Sequence, residues 1–343
     1  MDTLKNSCGI WVFKSGYQEK TILELTKHVV EGLDWVIDGF EYHYPFEVNE
    51  ENIQDVLTAL NGKDIYTIGL GTFADPRNDK GAFINPSAEL RKKNLQITKR
   101  AIDLASHLKA RLVIWPGREG YSYPFQVDYA DLWKLFINGL AETVDYANQM
   151  KVPVLLEHSD SRPPMKLLMR NIGMTIYIIR KIGGLGVDTT NLKVNMDWQH
   201  LIMNGECLGE YAALLAEENL LGHQHANAGW GRYNDFHIAG SSFIMQTLEL
   251  ACVLQDVGYG QNGERIGFDI VPFNEDPIEA VKRSILQWEF LYKLAGKIDR
   301  KALAEARFTR NASHGLSIVY QLFGLDQDFI ENLRKEKTTR LLT

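Results

Sequence analysis

The chain has 343 residues, 45% of them hydrophobic and 24% charged, which suits a large globular protein and not a disordered segment. Its formal charge of −7 excludes the basic face of a nucleic-acid binder and offers no attraction to an anionic membrane. There is no run of roughly 18 apolar residues to span a bilayer. The three cysteines, Cys8, Cys207 and Cys252, form no CxxC pair, as expected in a reducing compartment. The N-terminal stretch lacks the apolar segment of a secretory leader, so the expected location is the cytoplasm.

Short apolar or β-branched runs alternate with amphipathic helical patterns along most of the chain. Strands are predicted at 8–13, 39–42, 64–70, 111–115, 152–156, 192–196, 220–224 and 265–268. Helices are predicted at 21–32, 49–60, 87–109, 131–150, 165–182, 206–217, 241–257 and 277–295. Ser87 ahead of Glu89, and Asn49 ahead of Glu50 and Glu51, read as helix starts. About eight strand–helix units, with no Gly-rich dinucleotide fingerprint after the first strand, predict an α/β fold closed into a (β/α)8 barrel over residues 1–296. Helical patterns at 300–307, 315–323 and 327–335 predict a C-terminal helical extension, 297–343, packed on its own barrel or on a neighbouring subunit.

The last four strands each run into a metal-binding residue: Glu157, Asp197, His225 and Asp269. A single carboxylate at a strand end is readily explained as a cap of the following helix. Four such residues in successive units instead mark the C-terminal mouth of a barrel, where barrel enzymes keep their chemistry. Three carboxylates and one imidazole suit Mn²⁺, with Mg²⁺, Co²⁺ or Zn²⁺ as alternatives. Such an ion can hold adjacent sugar oxygens and polarise a carbonyl. Glu157 and Asp269 are then placed to move a proton beside that carbonyl; hydride migration between neighbouring carbons is the alternative. His200, three residues after Asp197, is expected to reach a substrate oxygen or a second metal. His43 stands at the tip of the second strand, facing the same mouth. Trp115-Pro-Gly-Arg-Glu-Gly follows the fourth strand and supplies an aromatic wall, with Arg118 and Glu119 expected to form a salt bridge at the rim.

These residues resemble the xylose isomerase-like TIM barrels, from about Gly9 to Asp269. Gly9-Ile-Trp-Val is similar to that family's first strand, and Phe40-Glu-Tyr-His43 to the second strand of xylose isomerase, which ends in a ring-opening histidine. Trp115-Pro-Gly-Arg-Glu-Gly is similar to that enzyme's W-G-G-R-E-G, whose tryptophan lines the sugar pocket. Asp197-Trp-Gln-His200 resembles the family's D/E-x-x-H element, His223-Gln-His225-Ala-Asn227 its seventh strand, and Phe268-Asp269-Ile the F-D-F that carries the last ligand. The resemblance implies that Glu157, Asp197, His225 and Asp269 bind the principal metal of a sugar isomerase or epimerase. By the same resemblance Trp115 stacks on the sugar and His158, Asp235 and His237 are candidate substrate contacts.

Departures accompany the matches. Glu157 is followed by His158-Ser159 where xylose and rhamnose isomerases have Pro-Lys-Pro. Phe46 occupies the position of the acidic partner of the ring-opening histidine, with Glu47 next. The second-metal aspartates fall on Asn234 and Phe236, leaving Asp235 and His237 as substitutes in a shifted register. These departures suit a related branch, the catalytic subunit of C-glycoside deglycosidases. That lyase acts on a 3-keto glycoside together with a small partner subunit, and a histidine such as His43, His158, His200 or His237 would serve as its acid or base. The resemblance thus implies a sugar or sugar glycoside as substrate, and either a homo-oligomer or a hetero-oligomer with a small subunit. An endonuclease IV-like phosphodiesterase fits poorly, because nine histidines and an acidic chain provide neither three zinc sites nor a DNA-facing rim. A barrel that only binds carbohydrate would have no use for the ligand quartet.

Overall fold

The computed structural model describes residues 3–160, 165–233 and 235–340. Eight strands close into a barrel with every neighbouring pair parallel: β1 (Asn6–Gly9), β2 (Gly39–Tyr44), β3 (Asp64–Leu70), β4 (Arg111–Ile114), β6 (Val154–Glu157), β8 (Leu192–Asp197), β9 (Leu221–Ala226) and β10 (Ile266–Phe268), with β10 returning to β1. Two further strands, β5 (Gly120–Tyr121) and β7 (Lys166–Leu167), form a small antiparallel pair. The helices between barrel strands are α1 (Ile22–Leu33), α2 (Ile53–Ala59), α3 (Ala88–Leu108), α4 (Tyr129–Gln149), α5 (Ile172–Gly184), α6 (Trp198–Met203), α7 (Leu208–Glu217) and α8 (Ile244–Asp256), with α9 (Pro277–Ala295) after the last strand. No helix among the described residues is long and apolar enough to cross a membrane.

Local chemistry explains where these elements begin. Thr21 and Glu24 form a reciprocal capping box at the start of α1, satisfying amides that the first turn leaves unpaired. Ser87 caps α3 as its position predicts. Asn49 does not start a helix. Its side chain accepts from the Glu51 and Asn52 amides in a turn, and α2 begins only at Ile53. The first predicted strand is likewise cut short at Gly9, where the chain coils into a 3-10 turn over Ile10–Phe13. The helix predicted at 165–182 begins only at Ile172, because Lys166 and Leu167 pair with the loop after β4. The Arg118–Glu119 salt bridge is absent among the described residues. Glu119 is buried and its carboxyl oxygens instead accept from the amides of Ala82, Phe83 and Ile84.

The two barrel ends are built differently. At the N-terminal end Arg265 makes two bonds to the Asp64 carboxylate, at 2.7 and 2.6 Å, and lies over the Tyr66 ring. Above that plug the barrel interior turns polar instead of filling with branched apolar side chains, with Ser7, Glu41, Thr67 and His223 all buried. Gly267 makes room for this layer, because a Cβ there would run into Glu41 Oε1 and His223 Nε2.

The chain divides into two compact units, Leu4–Trp288 and, from Glu289 onward, a helical unit, with the division falling inside α9. The helical unit contains α10 (Arg300–Phe308), capped by Asp299, then α11 (Ala312–Tyr320) and α12 (Gln327–Arg340), and α12 has no buried residue.

Candidate metal centre and active-site cavity

The polar interior rises to a cavity of about 240 Å³ lined by Trp11, Glu41, His43, Trp115, Glu157, His200, His225 and Asp269 among others. Strand alternation explains its floor, since residues two apart on a strand share a face. Glu41 and His43 on β2, Asn195 and Asp197 on β8, and His223 and His225 on β9 are such pairs. Glu157 ends β6 and Asp269 follows β10.

Ligand atoms of Glu157, Asp197, His225 and Asp269 all lie within 4.8 Å of one another. Each is held by a neighbour. Asn195 Nδ2 donates to Glu157 Oε2 (2.9 Å) and Asn227 Nδ2 to Asp197 Oδ2 (2.9 Å). Trp11 Nε1 donates to Asp269 Oδ1 (2.8 Å), and the His200 amide to Asp197 Oδ1 (3.0 Å). His225 Nδ1 sits 3.1 Å from Glu157 Oε2 and 3.6 Å from Asp269 Oδ2, yet makes a hydrogen bond to neither. A buried imidazole nitrogen without a hydrogen bond, facing converging carboxylates, is the donor set a divalent cation takes. The residues therefore fit the group.

Electrostatics follow from the crowding. Burial, with the neighbouring Glu157 and Asp269 carboxylates, raises Asp197 to about 6. Asp269 is raised by burial and by Glu157. Burial works most strongly against the charged form of Glu157, but the facing His225, together with His200 and His158, offsets it and holds that carboxyl below the usual range. Like charges this close need a compensating cation or shared protons.

A second polar cluster lies beneath. Glu41 Oε1 accepts from Ser7 Oγ (2.7 Å) and lies 3.1 Å from His223 Nε2; its Oε2 accepts from Thr67 Oγ1 (2.6 Å) and lies 3.3 Å from His225 Nε2. Glu41 thus grips the far side of the same imidazole whose Nδ1 faces the carboxylates. Burial disfavours its charge, but His223 and His225 hold its carboxyl well below the ordinary range.

The family model for the xylose isomerase-like TIM barrel matches residues 33–283. The chain belongs to the xylose isomerase-like TIM barrel family. Solved structures agree on the fold of this barrel. An L-ribulose 3-epimerase superposes with a TM-score of 0.64 at 13% identity, covering 90% of this chain and 99% of its own. The 3-keto-D-glucoside 4-epimerase of E. coli gives 0.61 at 16% identity over 84% and 100%. A D-tagatose 3-epimerase-like protein gives 0.65 at 16% over 84% and 98%. No curated protein matches the chain in sequence.

Within this family barrel the other predicted residues have distinct fates. His200 is buried, with Nδ1 2.9 Å from Asp160 Oδ1 and Nε2 4.0 Å from both Glu157 Oε1 and Asp197 Oδ1. Asp197 and Asp160 raise its pKa against the effect of burial. His43 lines the cavity against Trp11, at 4.2 Å between rings, and Trp115 stands edge-on to Phe73. The acidic partner expected three residues after His43 is supplied four residues on. Glu47 Oε2 accepts from the His43 amide (2.6 Å) and lies 3.4 Å from its Nδ1, whereas Phe46 is exposed.

His158, expected to touch substrate, does not line the cavity. It is fully buried, and among the described residues neither ring nitrogen has a hydrogen-bond partner. Asp235 and His237 also lie outside the cavity. Asp235 Oδ1 accepts from Gln199 Nε2 (2.6 Å) and Oδ2 from the Trp230 amide (3.0 Å), with His237 Nε2 3.5 Å away. Neither joins a metal-ligand cluster among the described residues. Phe236 packs edge-on against His200, and Asn234 lies outside the described residues. The residues that the sequence reading left without a role are Glu41, Glu47, Trp11, Asn195, Asn227, Asp160 and His223. Three carried a usable signal: Glu41, Asn195 and His223 each stand two positions before a predicted site residue.

The buried His158 has a measurable consequence. Burial, with His200 nearby, lowers its pKa to about 3, so the unfolded chain accepts a proton that the folded chain refuses. Stability of the metal-free protein is therefore present above the unfolded value of about 6.5, and is lost as pH falls, by about 1.4 kcal/mol per pH unit from this group. Chemical denaturation from pH 7 to 4 should show His158→Phe flattening that slope; an unchanged slope would remove His158 as its source.

Proposed function

We propose that this chain is a divalent-metal-dependent isomerase or epimerase acting on a ketose or aldose, with Mn²⁺ the metal its mixed carboxylate and imidazole donors favour. The observation that carries the reading is the convergence of three carboxylates on a His225 nitrogen that has no hydrogen bond among the described residues, at the floor of a cavity. Glu157, Asp197, His225 and Asp269 would hold the ion. When bound it supplies a Lewis acid for a carbonyl oxygen and a template for adjacent oxygens.

The chain's own residues then do the rest. Trp11, Phe73 and Trp115 line the cavity with faces on which a sugar can stack. His200, with Nδ1 directed at Asp160, presents Nε2 to a substrate oxygen. His43, held by Glu47, is available to move a hydroxyl proton in ring opening. Glu157 and Asp269 take the carbon-bound proton beside the carbonyl and return it, the division of labour that a pair of flanking carboxylates permits. That structural neighbours of this barrel include sugar epimerases supports the same class.

The deciding experiment is metal analysis of the purified protein, followed by deuterium wash-in from heavy water over a panel of free ketoses and 3-keto glycosides with Mn²⁺ present. Incorporation at a carbon next to the carbonyl is expected. Turnover without incorporation would replace proton transfer by hydride migration. Aglycone release from a keto glycoside, with no exchange into any sugar, would replace the isomerase by a lyase. Failure to bind a divalent metal would overturn the proposal.

A further inference from the structure

Glu119 stands in the turn after β4, apart from the metal-ligand clusters. It is buried, with Oε1 accepting from the Ala82 amide (2.6 Å) and the Phe83 amide (3.1 Å), and Oε2 from the Ile84 amide (3.1 Å). Gly81, at φ +87°, turns the chain ahead of these three amides, and a Cβ there would lie 2.9 Å from Oε2. Burial pushes the Glu119 carboxyl up to about 7 against the pull of the amides, and no charged side chain contributes to the balance. Burying an acid without a cation is costly, and an apolar side chain would fill the same space at less cost. The cost is explained if the three bonds hold something in place.

Both ends of this clamp lead to the cavity wall. On the β3 side, Asn94 Nδ2 donates to the Ala82 carbonyl (3.1 Å) and to Asn78 Oδ1 (2.8 Å). Asn78 Nδ2 in turn donates to the carbonyl of Thr72 (2.8 Å), the residue before Phe73. Thr72, Asn78 and Asn94 are all buried. On the β4 side, the Glu119 amide bonds the Pro116 carbonyl (2.8 Å), closing the turn that follows Trp115. The Glu119 carbonyl accepts from the Leu168 amide (2.9 Å), which ties that turn to the end of β7. The carboxyl thus draws the 82–84 segment toward an anchored turn. Phe73 and Trp115 meet edge-on at 5.0 Å between rings, and both line the cavity. Gly117 permits the approach, since a Cβ there would lie 2.6 Å from Phe73 Cβ.

Resting on the isomerase or epimerase reading, we propose that Glu119 is a positioning residue, whose three bonds lock the loops after β3 and β4 so that Phe73 and Trp115 form one wall for the sugar. Glu119 touches neither the sugar nor the metal ligands and acts through the two rings. A wall against carbons that do not react contributes equally to the ground state and the transition state. Its displacement therefore raises KM and spares kcat.

The test compares Glu119→Gln, which keeps the shape and one oxygen acceptor, with Glu119→Leu, which keeps no acceptor, in the Mn²⁺-loaded full chain. Deuterium exchange into D-fructose, D-tagatose and L-ribulose is measured beside acrylamide quenching of tryptophan fluorescence. Both variants should bind Mn²⁺ as the wild type does. KM should rise about tenfold, the loss of one buried hydrogen bond, with kcat within about twofold. Quenching should increase, and the increase should vanish when Trp115→Phe is also present. Trp115→Ala should raise KM in the wild type but add nothing to Glu119→Gln, because residues acting through one contact are not additive. Glu119→Gln carries the test should Glu119→Leu fail to fold. Three results overturn the inference: the full Trp115→Ala loss persisting beside Glu119→Gln, wild-type KM and quenching in both variants, or a fall in kcat or Mn²⁺ affinity as large as the rise in KM. The last would make Glu119 a structural residue of the whole barrel. Wild-type KM with ketose exchange intact overturns this inference alone. A Trp115-dependent quenching change in a protein that exchanges no ketose overturns the isomerase reading and leaves the placement of the wall by Glu119 standing.

Discussion

Glu157→Gln and Asp269→Asn are each expected to lower metal-dependent proton exchange by about 10²–10⁴-fold, the usual contribution of a positioned acid or base, while the barrel stays folded. Both substitutions keep size and hydrogen-bonding shape. A glutamine at 157 can still accept from Asn195, and an asparagine at 269 can still accept from Trp11, so the bonds at 2.9 and 2.8 Å survive. The anionic oxygen that faces His225 does not. Because both residues belong to the candidate ligand set, exchange rate and Mn²⁺ affinity must be measured side by side. A rate loss that remains at saturating Mn²⁺ belongs to proton transfer; one that disappears belongs to metal retention. Wild-type exchange in both variants at limiting metal would remove these carboxylates from the reaction.

Removing the Glu41 carboxylate should have the largest effect on stability and a distinct effect on the metal. Glu41 is 1% exposed and contacts Ser7, Thr67, His223 and His225, so Glu41→Ala strands several buried polar groups. The expected cost is about 3–5 kcal/mol, the range for breaking a buried ion pair by deleting one partner, read by denaturant titration of the metal-free protein. Glu41→Gln is milder in shape and more informative. It can still bond His225 Nε2 but lacks the charge that sharpens the ligand's orientation and basicity, and Mn²⁺ should bind about 10–100-fold more weakly. Unchanged Mn²⁺ affinity in Glu41→Gln would leave Glu41 a purely structural residue. The two measurements separate because the first needs no metal.

The alternation of short apolar runs and amphipathic helices determined the barrel, because period-two and period-3.6 patterns are local properties of a chain. The convergence of Glu157, Asp197, His225 and Asp269 was legible for a related reason: the ends of parallel strands meet at one mouth, so a strand-tip position is already a spatial coordinate. Where strand register no longer sets position, tertiary structure decided. Glu47 partners His43 because the turn after Tyr44 folds back, with the Glu47 amide bonding the His43 carbonyl at 2.9 Å; residue spacing in a loop does not encode that reversal. His158 follows Glu157 directly, and strand alternation turns it away from the cavity into a fully buried position. Asp235 and His237 sit in a loop whose path is set by bonds to Gln199 and to the backbone of Ala228, which keep them out of the cavity. Glu41 and His223 stood in plain view in their strands, but their role required contact across the barrel between β2 and β9, which are not neighbours in the sheet. Strand-tip chemistry could be read one element at a time, whereas the network that holds it depends on closure of the barrel.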